Sequence, residues 1–218
     1  MIRRSTLRAQ IATALRDEIL AGRLPTGRDF TVKEIAELYG VSATPVREAL
    51  VDLAAQGLLD MEQHRGFRVH EFSPADFRAM VDARSLVMEG VFRWVREREG
   101  VVALPDHVAV ESVRRRAVAA ERAALAGDLD VLIGYDLRFW RELGGVMHNP
   151  YLRDFLHRVR VQCWAFAVPV LRREDKLSGR LWAGHRELLE AVEQFDLERT
   201  RRLLTEYNTH ALTLVDGS

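Results

Sequence analysis

The chain holds a single cysteine, Cys163, so no disulfide framework can form within it. No apolar run approaches the ~18 residues that a membrane-spanning helix needs, and Met1-Ile2-Arg3-Arg4-Ser5 is not followed by the apolar segment of an export signal. The expected compartment is the cytoplasm. Neither charge is in excess: 32 Lys and Arg face 32 Asp and Glu, which offers no overall attraction for a polyanion. Basic groups at Arg3, Arg4, Arg8, Lys33, Arg47, Arg65 and Arg68 suggest instead that the positive field is local. Internal repeats and low-complexity tracts are missing, as are an HExxH pair, a Gly-rich phosphate loop and a nucleophile elbow. What is present is 218 residues, 48% of them apolar, enough for two domains with sizeable cores.

The stretch from Thr31 to Val69 carries the sharpest local signals. Thr31 and Glu34 have the spacing of a capping box, and Val32, Ile35, Ala36 and Tyr39 follow at i, i+3, i+4 and i+7 until Gly40 ends the helix. A second helix opens after Val41, with Ser42 or Thr44 as its cap and Pro45 in its first turn. Its inner stripe is Val46, Ala49, Leu50 and Leu53, which turns Thr44, Arg47, Glu48 and Val51 outward. Beyond Gly57, the runs Leu58-Leu59-Asp60-Met61 and Phe67-Arg68-Val69-His70 bracket Gln63-His64-Arg65-Gly66, a hairpin tipped by His64 and Arg65. Two short helices around a glycine turn, followed by a basic hairpin, make a winged helix-turn-helix whose second helix suits a DNA major groove. Arg47, early on that helix, is the side chain expected to grip guanine or phosphate. The wing would lie along the adjacent backbone or minor groove.

The segment LRDEILAGRLPTGRDFTVKEIAELYGVSATPVREALVDLAAQGLL resembles the DNA-binding domain of the GntR family of bacterial transcription regulators, over residues 7–70. The resemblance implies that Lys33, Ser42, Thr44, Arg47, His64 and Gly66 sit where relatives contact operator DNA. Ala43 departs from the pattern, standing where many members carry arginine.

The remainder reads as helix throughout. Helices are expected from Ser73-Pro74 to about Arg98, from Asp106 to Leu125 as a solvated outer helix, from Asp128 to Leu143, from Asn149-Pro150 to Leu171, from Asp175 to Glu193, and from Asp196 to Val215. The fold class is therefore mainly α. A winged helix-turn-helix over 1–71 is followed by an all-α antiparallel helical bundle over 72–218.

Within the bundle, charged residues stand on apolar stripes. Arg84 lies seven after Phe77 and four before Met88, Asp136 four after Leu132 and four before Trp140, and His185 between Leu181 and Leu188. Three ionisable groups on inward faces are costly unless they meet one another or a ligand, so a polar effector pocket is expected. This half is similar to the FadR-type C-terminal ligand-sensing (FCD) domain, through YDLRFWRELGGVMHNPYLRDFL and GHRELLEAV. In many such domains an Asp and three His on three helices hold a divalent metal, and an organic acid completes the coordination. By that resemblance Asp136 and His185 match ligand positions, Trp140 replaces a histidine, and the last-helix position falls on Tyr207 with His210 one turn later.

Two pictures stay open. Asp136, His185 and His210 would make an incomplete three-donor site for zinc, nickel or manganese. Alternatively, Trp140 fills the metal volume and stacks on an effector while Arg84 pairs with its carboxylate or phosphate. Both favour a small anionic metabolite, bound by Arg84, Asp136, Trp140, His185, Tyr207 and His210. The function expected is that of a homodimeric transcription regulator, a repressor by family habit, on a palindromic operator. Effector binding would re-present the winged domains through the His70-Glu71-Phe72-Ser73 hinge. The alternative is a small metal-dependent enzyme fused to a DNA-binding arm, with Asp136 and His185 starting a metal-activated water site.

Overall fold

The computed structural model describes residues 6–62, 66–97 and 107–216, and its contacts separate into two compact units, Met1–Ser73 and Pro74–Ser218. In the first unit Thr6 caps α1 (Leu7–Leu20), its hydroxyl accepting from the Ala9 N–H at 3.2 Å. The capping box of α2 (Val32–Tyr39) closes in both directions: the Glu34 N–H donates to Thr31 Oγ1 at 3.2 Å, and the Thr31 N–H to Glu34 Oε2 at 2.6 Å. Gly40, at φ 64°, ends the helix in the left-handed conformation that favours glycine. Helix α3 (Ala43–Ala55) buries Val46, Ala49, Leu50 and Leu53, the stripe its spacing dictates. Strands β2 (Leu59–Glu62) and β3 (Gly66–Val69) pair antiparallel.

Two elements go beyond that local reading. Helix α1 packs on α3 through Ile11, Ala12, Leu15 and Ile19, and β1 (Asp29–Phe30) adds to the free edge of β3, giving the sheet order β1-β3-β2. The approach of β1 fixes residue 66. Gly66 has φ +99°, and a Cβ there would meet the Phe30 carbonyl oxygen at 2.5 Å. Its glycine is therefore demanded by strand packing. His64 and Arg65, the expected wing tip, lie outside the described residues, as do Arg3 and Arg4.

The second unit is a bundle of α4 (Pro74–Glu97), α5 (His107–Ala126), α6 (Leu129–Leu143), α7 (Pro150–Leu171), α8 (His185–Glu193) and α9 (Leu197–Asp216). Asp128 caps α6 and Asn149 caps α7, each accepting at 3.1 Å from the N–H three residues on. Helix α5 buries Ala117, Ala120 and Ala124, whose small side chains let it close onto α6, while Arg114, Arg115 and Arg122 face outward. One expectation needs correction. Helix α8 begins ten residues later than expected, at His185. The segment before it is drawn inward by Trp182, which packs on Trp140, His185 and Tyr207. Gly184 is what permits this, since a Cβ on it would lie 2.6 Å from the Trp182 ring. Among the described residues no helix is long and apolar enough to cross a membrane.

Gly66→Ala combines a positive φ with a backbone clash, so it should destabilise the first unit by about 2 kcal/mol or more. Urea unfolding followed by circular dichroism would check this. An unchanged midpoint would mean that the β1–β3 approach is looser than drawn.

Candidate functional site

The first unit presents one face built from the start of α3 and the side of α2. Ser42 occupies the N-cap position of α3, but its side chain makes no capping hydrogen bond, so the first-turn N–H groups are left to other acceptors. Thr44 and Arg47 are exposed on the same turns. Lys33 reaches Glu37 only at 3.8 Å with both side chains in solvent, a weak pairing. Lys33, Ala43 and Arg47 line one shallow cleft between α2 and α3. Hydroxyls, unbonded backbone N–H groups and a guanidinium together are the donor set that phosphates and guanine edges accept. The positive field is narrower than sequence suggests. Arg68 is held by Asp29 at 2.7 Å and Glu62 at 3.6 Å, and Arg8 by Asp52 at 3.1 Å, while Lys33 and Arg47 stay exposed beside the start of α3.

In the second unit the polar residues from the apolar stripes converge. Asp136, 1% exposed, accepts three hydrogen bonds: from Trp140 Nε1 at 2.9 Å and His185 Nε2 at 2.9 Å on Oδ1, and from Trp164 Nε1 at 2.7 Å on Oδ2. Arg84 and Arg160, 2% and 4% exposed, flank this carboxylate without ion-pairing to it. The Arg84 guanidinium lies 4.5 Å from the centre of the Tyr207 ring, and that of Arg160 lies 4.1 Å from the Trp140 ring. Arg84 gives one long bond, 3.4 Å, to the Tyr207 hydroxyl; its Nε and Nη2 have no acceptor, and neither has Arg160 Nε. Burial, with Arg84 nearby, pulls Arg160 down to about 10 against the opposing effect of Tyr207, so it is still charged at neutral pH. Burial likewise pushes the Tyr207 phenol up to about 12. Two buried guanidinium charges thus stand beside one buried carboxylate.

Arg84, Asp136, Arg160, His185, Tyr207 and His210 line one cavity of about 60 Å³. Trp140 stands behind it, bonded to Asp136 and packed on Tyr207 with ring centres 4.9 Å apart. Arg160, Trp164 and Trp182 complete the arrangement and were not among the expected residues. Arg160 carries the signal that marks Arg84: it follows Leu156 by four and precedes Cys163 by three.

The residues do not fit a resident metal. Both Asp136 oxygens already accept N–H donors, and indole has no lone pair to give a cation at position 140. His185 spends Nε2 on Asp136, and burial lowers the pKa of His210, whose ring is engaged by the Arg180 backbone. The three-donor set Asp136, His185 and His210 does not assemble. Among the described residues no group of three or more His, Cys, Asp or Glu is placed to hold a metal ion.

Comparison with known proteins joins the two halves. The family model "Bacterial regulatory proteins, gntR family" matches residues 7–69, and the FCD domain model matches residues 101–210. The chain is a member of the GntR family. This GntR protein is 30% identical over 205 residues to the "Probable D-xylose utilization operon transcriptional repressor" of Paenarthrobacter nicotinovorans, across 94% of this chain and 86% of that one. Its fold matches E. coli McbR/YncC, with a TM-score of 0.76, 20% identity, and coverage of 98% and 99%. A GntR regulator from Rhodococcus sp. RHA1 superposes with a TM-score of 0.70 at 21% identity, over 98% of this chain and 99% of the other. The protein is accordingly a DNA-binding transcription regulator carrying a ligand-binding FCD domain, and its relatives are regulators, not enzymes.

Extensively dialysed, untagged protein should contain far less than one zinc, nickel or manganese ion per chain by elemental mass spectrometry. A stoichiometric ion would require that the Trp140 and Trp164 bonds to Asp136 open.

Proposed function

We propose that this GntR regulator represses transcription as a cytoplasmic homodimer on a two-fold symmetric operator, and that a small anionic metabolite bound within the FCD bundle lowers its operator affinity. The observation that carries the effector class is Arg84, a fully buried guanidinium with two N–H directions that meet no acceptor. Leaving such donors unmade is expensive, and an anion supplies both acceptors and the missing negative charge. A phosphate, sulfonate or carboxylate would satisfy it; a neutral sugar would not. His185 Nδ1, also buried without a partner, offers a place for a hydroxyl on the same ligand.

On the DNA side, Arg47 is the proposed principal contact, supported by Lys33, Ser42 and Thr44 around the start of α3. His64, Arg65 and Gly66 belong to the wing, which would follow the adjacent groove. A single recognition helix reads few base pairs, so two copies on a symmetric site supply the affinity that one lacks. The effector need only favour one presentation of the DNA-binding units over another, and a coupling of ~1–3 kcal/mol changes occupancy about 5- to 150-fold.

Duplexes enriched from a random pool by the wild-type protein give the operator needed for testing. Arg47→Ala should weaken binding to them by about 1–3 kcal/mol in fluorescence anisotropy, with the oligomeric state unchanged in sedimentation. Equal affinity would remove Arg47 from the contact. Arg84→Ala should retain operator binding but lose release by anionic metabolites. Release at wild-type concentrations would dismiss the anion anchor.

A further inference from the structure

Arg160 is the single side chain shared by two neighbouring cavities of the bundle. On one side is the polar cavity of Arg84, Asp136 and His185. Its volume of about 60 Å³ is less than half that of its neighbour. On the other is a partly open chamber of about 140 Å³ between α4, α6, α7, α8 and α9, with Met88, Phe92, Trp140, Leu156, Leu188 and Leu204 among its walls. That volume is close to the ~150 Å³ of an apolar cavity that accepts a benzene ring.

The chamber offers an incoming hydroxyl almost nothing. Its Thr200 hydroxyl already donates to the Asp196 carbonyl at 2.7 Å, and its Arg153 pairs with Asp154 at 3.3 Å. Arg160 differs: it is 4% exposed, its Nε has no acceptor, and its guanidinium lies over the Trp140 ring, 4.1 Å from its centre, at the chamber wall. An apolar chamber with a buried cation that keeps an unmet donor at its wall selects for a molecule with one anionic end and one hydrocarbon end. A neutral hydrocarbon would fill the space but leave the guanidinium unpaired. A polyhydroxy acid would pair the guanidinium but bury its hydroxyls without partners. Met88 and Met147, unbranched and deformable, let the walls adjust to a ring or a short chain.

We propose that the effector is an organic acid with a compact apolar body, an aryl or short alkyl carboxylate, whose body occupies this chamber and whose carboxylate meets Arg160. This rests on the anion-sensing reading above and narrows it to one chemical class.

Isothermal titration calorimetry on the full chain, with phenylacetate, acetate and gluconate as probes, tests the proposal. Phenylacetate should bind about 100-fold more tightly than acetate, and gluconate no more tightly than acetate. Val91→Trp, which fills the chamber from α4 without touching either arginine's charge, should erase the advantage of phenylacetate and leave acetate unchanged. Arg160→Gln should abolish phenylacetate binding; because that variant alters a buried charge, Val91→Trp provides the independent reading. Gluconate or acetate binding as tightly as phenylacetate, or phenylacetate indifferent to Val91→Trp, would overturn the chamber assignment while leaving an anion site in place. Silence from all three acids with the wild-type protein would overturn both.

Discussion

The carboxylate of Asp136 is the point from which the bundle's interior is organised. It stands on α6 and accepts N–H bonds from Trp140 on its own helix, Trp164 on α7 and His185 at the start of α8. One ion therefore fixes two indole planes and one imidazole plane, and those rings in turn seat the two arginines. Without a charge at that place three N–H groups would be buried unbonded, and two guanidiniums would lose their nearest negative neighbour. Where a metal would normally tie helices together through its ligands, this chain uses a carboxylate and three ring donors. Trp182 extends the same arrangement outward: it packs on Trp140, His185 and Tyr207 and thereby sets where α8 begins.

The cost of that interior is not fully offset within the chain. Both oxygens of Asp136 are engaged, while Arg84 and Arg160 keep donors without acceptors. A core selected only for stability would hold apolar residues at 84 and 160, where stripes of valine, leucine and phenylalanine already surround them. Two buried cations with unmet donors are what the proposed anionic effector would complete. In the first unit the capping box of α2 closes, and Gly40 and Gly66 sit where positive φ is required.

Legibility in the sequence followed the range of the interaction concerned. The capping box at Thr31 and Glu34, the Gly40 stop and the inner stripe of α3 are local devices spaced within a few residues, and they could be read directly. Strand β1 is two residues long and exists only through its register with β3, some forty residues away, so nothing local announces it. Arg84, Asp136 and His185 stood out because their helices have polar faces against which a charge on the apolar stripe is conspicuous. Arg160 has the same spacing signal, but α7 buries residues around most of its circumference, and a stripe without an edge conceals its exception. Trp164 and Trp182 read as ordinary core aromatics until their partners are known. The position of His210 depended on a backbone carbonyl in the segment before α8, which helical periodicity had assigned to a helix.

The distribution of tryptophan has a practical outcome. Of the four in the chain, Trp140 and Trp164 donate to Asp136, Trp182 packs on His185, and Trp94 lines the apolar chamber. The strongest natural chromophores of the protein are thus gathered around the two cavities and none belongs to the DNA-binding unit. Intrinsic emission is a built-in optical gauge of the sensing domain, which registers events at the operator only through the coupling between the two units.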